Sequence, residues 1–413
     1  MKIISVLYIG SKKPINPNHI SMCNTKLILT ILKGSSSPFA IIIYMVLMLG
    51  ASIHVAGQSR YSLTGHVTDS LNKPIPSATV FIVGMTKMTS TTKEGIFKFD
   101  GLQAGTYQLS VSILGFASHT ETVLLASSSV DIQINLHPAT IELAGVVING
   151  ESSKVQEANY KIFQKVFLGT SDNAKKCRIL NPEVIHLKLD KKTGVLNATA
   201  DDLIVVENES LGYKIRYLLN NFNYQIEQDN ASFSGNSSFE ELPGNEKRKA
   251  VWNVARSKAY YGSLMQFFRG LYHNNAREEG FLIHKAFGRA PVFSIADDRE
   301  YLYVDPNEID LPAISKLRPD SLMRLKFTKL FIAYAPKQAA KERTSNVEAQ
   351  TKQVPFTSNC TLIYLLTDEA MIDQKGDVAG LHNFTIQGNM ALRRVADQLP
   401  FEYKPNKTGL LLE

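Results

Sequence analysis

The chain has 413 residues, 44% apolar and 20% charged, which is the balance of a globular protein with material for two or three domains. Its formal charge of +7 sits at one end: residues 1–57 carry Lys2, Lys12, Lys13, Lys26 and Lys33 and no carboxylate, leaving 40 basic against 38 acidic residues in the rest. A near-neutral body gives no support to a nucleic-acid partner, which would need a basic face.

Residues 39–51, FAIIIYMVLMLGA, are an uncharged apolar run of 13 preceded by lysines and followed by the small residues of Val55-Ala56-Gly57. A bilayer span needs about 20 residues, so this order predicts a secretory signal peptide (residues 1–57) cleaved before Gln58. An uncleaved N-terminal anchor is the competing reading, and translation from Met22 would shorten the leader. The expected location is therefore exported: the periplasm or the outer-membrane surface. Of three cysteines, Cys23 lies in the leader; Cys177 and Cys360 are far apart and outside any CxxC pattern, so pairing and two buried thiols both stay open.

Residues 60–137 read almost wholly as short strands. YSLTGHVT alternates, DSLNKPIP is a turn cluster fixed by Pro74 and Pro76, and SATVFIVGM is β-branched. IFKFDG and TYQLSVSILG follow, with Phe97 and Phe99 on one face and Tyr107, Leu109, Val111 and Ile113 on another. These predict two paired strands joined at LQA, between Gly101 and Gly105. Asp69, Glu94 and Asp100 fall in turns without the spacing of a calcium loop and read as turn residues.

The combination G-x-V-x-D, P-I-x-x-A-x-V, G-x-F-x-F and G-x-Y-x-L-x-V-S-x-x-G-F across GHVTDSLNKPIPSATVFIVG and TTKEGIFKFDGLQAGTYQLSVSILGF resembles the carboxypeptidase-regulatory-like domain, a transthyretin-like β-sandwich. That resemblance implies a non-catalytic accessory module. Such modules sit behind the peptidase domain of some carboxypeptidases and ahead of the plug in many TonB-dependent outer-membrane receptors.

Beyond residue 150 the pattern changes. ESSKVQEANYKIFQKVFLG has helical spacing at Val155, Tyr160, Phe163, Val166 and Phe167. Strands are expected at LIVV, YKIRYLL and FNYQIE, with a hairpin at DKKTG, and Gly235, Pro243 and Gly244 close the section. From Trp252 a helical stripe runs through Phe267, Phe268 and Leu271, broken near Gly262, with Arg256, Lys258 and Arg269 on its opposite face. EYLYV, RLKFTKLFIAYAP and CTLIYLLTD predict further strands, PKQAAKERTSNVEAQTKQVP a flexible loop, and ALRRVADQLP a helix. NAKKCRILNPEVIHL, SLGYKIRYLLNNFNY, RSKAYYGSLMQFFRGLYHNNAREEGF and RRVADQLPFEYKP resemble the second domain of exported proteins that carry a carboxypeptidase-regulatory-like domain. The expected fold is thus an N-terminal all-β transthyretin-like sandwich (58–140) followed by an α+β domain (150–413).

The motifs of catalysis are missing. No histidine after residue 57 begins His-x-x-Glu, so the zinc site of a metallocarboxypeptidase has no sequence signature, and no cofactor is expected. There is no G-x-S-x-G elbow or phosphate loop. Ser-x-x-Lys at Ser70 and Ser90 lies in polar turns, and the adjacent pairs Asp201-Asp202 and Glu240-Glu241 point to opposite faces of a strand. Candidate ligand contacts are Arg256, Tyr260, His273, Arg277 and Glu278, polar groups around aromatic helical turns; the competing reading is caps and ion pairs. The sequence therefore leads to a non-enzymatic envelope protein binding a partner protein or glycan, within a TonB-dependent receptor system for instance. A hydrolase with an unrecognised site in the second domain is the alternative.

Overall fold

A computed structural model describes residues 60–139, 153–287, 302–341, 352–354, 360–379 and 383–405. The leader, the cleavage point at Gln58 and the 140–150 boundary lie outside these residues. From Ser59 onward the chain forms one compact unit.

The expected fold class holds: an all-β sandwich followed by an α+β part. The sandwich comprises β1 (Tyr61–Asp69), β2 (Thr79–Ile82), β3 (Met88–Ser90), β4 (Ile96–Leu102), β5 (Gly105–Ser112), β6 (His119–Leu125) and β7 (Val130–Leu136). One sheet runs β4-β1-β7, with β1 antiparallel to β4 and parallel to β7; the other runs β3-β2-β5-β6. Asp69 closes its turn by accepting from the Leu71 and Lys73 amides, and Asp100 accepts from the Ser62 hydroxyl.

One expectation is corrected here. IFKF and TYQLSV do form strands, but β4 pairs with β1 while β5 pairs with β2 and β6. Phe97 and Phe99 enter the core from one sheet, and Tyr107, Leu109 and Val111 from the other. The link from Leu102 to Gly105 is an arch between sheets, not a hairpin turn. Period-two alternation says which residues share a face; it does not say which strand lies alongside.

Next, α1 (Ser153–Leu168) packs Phe163, Phe167 and Leu168 on a sheet of β8 (Cys177–Ile179), β9 (Ile185–Asp190), β10 (Val195–Ala200), β11 (Ile204–Asn208), β12 (Tyr213–Gln225) and β13 (Asn230–Glu241). β12 is the spine: it pairs with β11 at its start, β10 at its end and β13 throughout, bending at a bulge between Leu219 and Asn221. Gly235 does not close the section as expected but sits inside β13. A Cβ there would lie 2.2 Å from the Leu218 carbonyl and 2.3 Å from the Tyr217 ring, so close backbone approach requires the glycine. Gly235→Ala is expected to destabilise by about 2 kcal/mol, read as a lower urea midpoint at unchanged slope.

The helices α2 (Glu246–Tyr260) and α3 (Leu264–Tyr272) are separated at Gly262, which has φ +73°, as the sequence predicts. Asn245 and Ser263 cap them by accepting from the Arg248 and Gln266 amides. The remaining elements are β14 (Phe281–Phe287), β15 (Leu302–Glu308), β16 (Ser315–Leu317), β17 (Met323–Leu325), β18 (Lys329–Tyr334), α4 (Pro336–Ala339), β19 (Lys352–Val354), β20 (Cys360–Leu365), β21 (Ala370–Ile372), β22 (Val378–Ala379) and β23 (Phe384–Gly388). They form the sheets β19-β15-β14-β18-β20-β23 and β16-β17-β21-β22. Phe267, Phe268 and Leu271 of α3 share a core with Phe281, Ile332 and Ile363.

Two further expectations are corrected. The polar stretch 336–355 contains α4 and β19, where a loop was expected. ALRRVADQLP makes two 3-10 turns rather than a helix, with Val395 and Ala396 both buried and Arg393 donating to the Ala259 (2.5 Å) and Tyr261 (2.8 Å) carbonyls. The backbone is extended at Arg393 (φ −80°, ψ 101°) and Arg394 (φ −99°, ψ −159°), which breaks any continuous helix between the two turns. Cys177 and Cys360 are buried in separate cores and form no disulfide with each other; burial pushes the Cys177 thiol up to about 12.

The sandwich is joined to the rest by an apolar patch and a braid of backbone. Phe81 of β2 is fully buried against Leu203 and Leu218. The Gly84 amide donates to Ser237 (2.7 Å), the Phe239 amide to Met85 (3.0 Å), and the Phe401 amide to Gly84 (2.7 Å). The β2–β3 turn is therefore held between β13 and the segment 400–403.

Candidate functional site

The segment DQKGD, residues 373–377, links β21 to β22. Asp373 shapes it, its Oδ1 accepting from the Lys375 (2.8 Å) and Asp377 (3.0 Å) amides. Gly376, at φ +80°, rests where a Cβ would lie 2.8 Å from the Met265 carbonyl. The turn thrusts Lys375 at the sandwich: its Nζ donates to the Thr106 carbonyl (2.7 Å), lies 4.3 Å from the Tyr107 ring centre and pairs with Asp373 at 3.1 Å. Burial, and secondarily the Asp373 charge, push the Asp377 carboxyl up to about 7.

Arg269 of α3 fastens the same region. Its Nε donates to the Lys375 carbonyl (2.9 Å), and its Nη1 and Nη2 donate to the Tyr403 and Phe401 carbonyls (3.0 Å each). The planar fork thus ties three chain segments together, 5.5 Å from the Tyr260 ring centre.

Between the sandwich and these segments lies a cleft of about 940 Å³, larger than the grooves of about 720 Å³ beside Asp397 and 520 Å³ beside Glu241. Tyr107, Tyr272 and Tyr403 line it, with Arg60, Lys87 and Lys404 among its charged groups. The Tyr107 hydroxyl donates to Gln103 and the Tyr272 hydroxyl to Ser321 (2.9 Å each), so both phenols are satisfied within the protein.

The five sequence-derived contacts do not converge. Arg256 is buried: it donates to the Leu211 (2.7 Å) and Gly212 (3.3 Å) carbonyls, pairs with Glu241 (2.6 Å) and stacks 4.0 Å from the Tyr213 ring centre. The expected cationic face is thus turned onto backbone carbonyls at both Arg256 and Arg269. Tyr260 sits in the core, where burial raises its phenol. Arg277 pairs with Glu308 and donates to the Lys341 carbonyl, and Glu278 is exposed. Of the five, His273 lines the cleft, exposed and edge-on to Tyr272. Glu240 and Glu241 pair with different arginines, Arg216 and Arg256, as alternation on β13 requires. Lys375 and Asp373 were missed; the Asp-x-x-Gly-Asp pattern marks a tight turn, and nothing local says where its tip docks.

Residues 63–148, 86 of the 413, match the family model of the CarboxypepD_reg-like domain, so the sandwich carries the family signature it resembles. No curated protein matches the chain. Among solved structures, a type II cohesin–X-dockerin complex from Acetivibrio cellulolyticus is 23% identical with a TM-score of 0.17, over 19% of this chain and 58% of that one. A streptococcal ancillary pilin is 13% identical with a TM-score of 0.18, over 20% and 33%. A putative carbohydrate binding protein from Pseudomonas aeruginosa is 13% identical with a TM-score of 0.16, over 19% and 92%. The chain thus spans less than two thirds of the first two.

Proposed function

We propose that the chain is an exported, non-enzymatic protein of the cell envelope that binds a glycan in the cleft between its sandwich and its α+β part. The observation that carries this reading is the shape and lining of the cleft. A concave space of about 940 Å³ walled by tyrosines and hydrogen-bonding groups suits a narrow polar chain. A protein partner would ask for a broad face of roughly 800 Å². Several strong polar groups already serve the fold: Asp373 organises its turn, and Lys375 and Arg269 hold segments together. Asp377, the acid poised near neutrality, is not part of the cleft lining.

The test is a glycan array probed with the mature protein, alongside a pull-down from solubilised envelope and an assay for released reducing ends. Retention of glycans without turnover is the expected result. Capture of a TonB-dependent receptor with no glycan bound would favour the protein partner, and sustained release of reducing ends would favour a hydrolase. Recovery of the protein in the envelope fraction, beginning near Gln58, is expected from the same preparation.

A further inference from the structure

Resting on the glycan reading of the cleft, we infer that the sugar chain it takes is anionic, bearing uronate carboxylates, phosphate or sulfate. The inference comes from which charges in the cleft are already used. Its three carboxylates are each occupied within the protein. Asp373 accepts from two amides and pairs with Lys375. Asp320 accepts from the Leu322 amide (3.2 Å) and lies 3.1 Å from Arg318. Glu402 accepts from the Thr86 amide (2.9 Å) and hydroxyl (2.8 Å), neutral donors that use its oxygens and leave its charge in the count.

The cations divide differently. Lys375 and Arg269 face inward, and Arg269 donates to three carbonyl oxygens, neutral acceptors that leave its charge uncancelled. Arg60 and Lys404 are exposed at the margin and make no ion pair among the described residues. Lys87, half-buried, has its Nζ 3.5 Å from the Asp100 carbonyl. Counted over the lining, Arg60, Lys87, Arg269, Lys375 and Lys404 outnumber the three acids, and the surplus is at the mouth. A low-dielectric concave wall concentrates that field on whatever enters. In the same lining Tyr272, its hydroxyl satisfied by Ser321, offers an apolar ring surface on which the C–H face of a pyranose can stack, with His273 beside it. Surplus cations and aromatic rings in one lining select a ligand that is both a sugar and an anion.

The experiment compares oligogalacturonate with its methyl ester, which has the same backbone without the charge, by calorimetric titration of the mature protein within a wider panel of neutral and acidic oligosaccharides. The acid form is expected to bind at least about tenfold more tightly at low ionic strength, with the preference shrinking between roughly 20 and 300 mM salt. The double substitution Arg60→Gln and Lys404→Gln, at exposed positions, should remove the preference while leaving Tm unchanged. Equal binding of acid and ester, or a preference that survives the double substitution, overturns the inference and leaves the glycan reading standing. Binding of no member of the panel removes both.

Discussion

Replacing Arg269 by methionine is expected to lower stability by about 3 kcal/mol and to abolish binding in the cleft. The guanidinium is shared by the carbonyls of Lys375, Phe401 and Tyr403, and methionine keeps the aliphatic stem while removing all three donors. Each orphaned carbonyl costs on the order of 1 kcal/mol or more where water cannot reach it. Arg269→Lys should recover little, because one ammonium cannot reproduce a planar fork aimed at three segments. Urea denaturation gives the stability, and protease sensitivity near residue 400 reports release of the segment. Loss of less than about 1 kcal/mol in Arg269→Met would mean the fork is a surface ornament.

Asp377 should make the protein less stable as pH rises. The folded state holds this proton with a pKa near 7 against an ordinary 3.8, so the unfolded chain ionises first. Stability then falls by about 1.4 kcal/mol per pH unit from near pH 4 to near pH 7 and is flat above, with an upper bound on the order of 4 kcal/mol. Asp377→Asn keeps an acceptor for the Val378 amide, a bond of 2.8 Å, and carries no charge. It should match the parent near pH 4 and exceed it by a few kcal/mol near pH 8. Unfolding midpoints at pH 4, 6 and 8 measure this, and parallel pH curves for the two proteins would refute it.

What the sequence showed and what it withheld divide along one physical line. Local pattern located the core faces of the sandwich, the apolar face of α1 through Phe163 and Phe167, and the break at Gly262, because each depends on neighbours within a turn or a strand. It failed where a contact came from far along the chain. Alternation carries no information on pairing, so it makes β4 and β5 look like partners, and only the Tyr217 ring and the Leu218 carbonyl explain a glycine at 235 inside a strand. Arg256 looked like a surface cation because Leu211, Gly212 and Glu241 lie outside its helix. The cleft was invisible for the same reason: Tyr107, Tyr272, Lys375 and Tyr403 belong to four separate stretches of sequence.

The joint between sandwich and α+β part also sets an order of events in biogenesis. Thr86 and Glu402, bonded across it, are 316 positions apart. Closing so long a loop is slow, and its far side does not exist while the sandwich is being made. At 5–20 residues per second, residue 402 leaves the ribosome on the order of 16–60 s after residue 86. During much of that interval Phe81 has neither Leu203 nor Leu218 to cover it, so a folded sandwich would present an apolar side to its surroundings. That makes the nascent sandwich a target for a holding chaperone until Leu203 and Leu218 dock on Phe81, and it leaves the closing of the segment 400–403 over Gly84 as the last part of the joint to form.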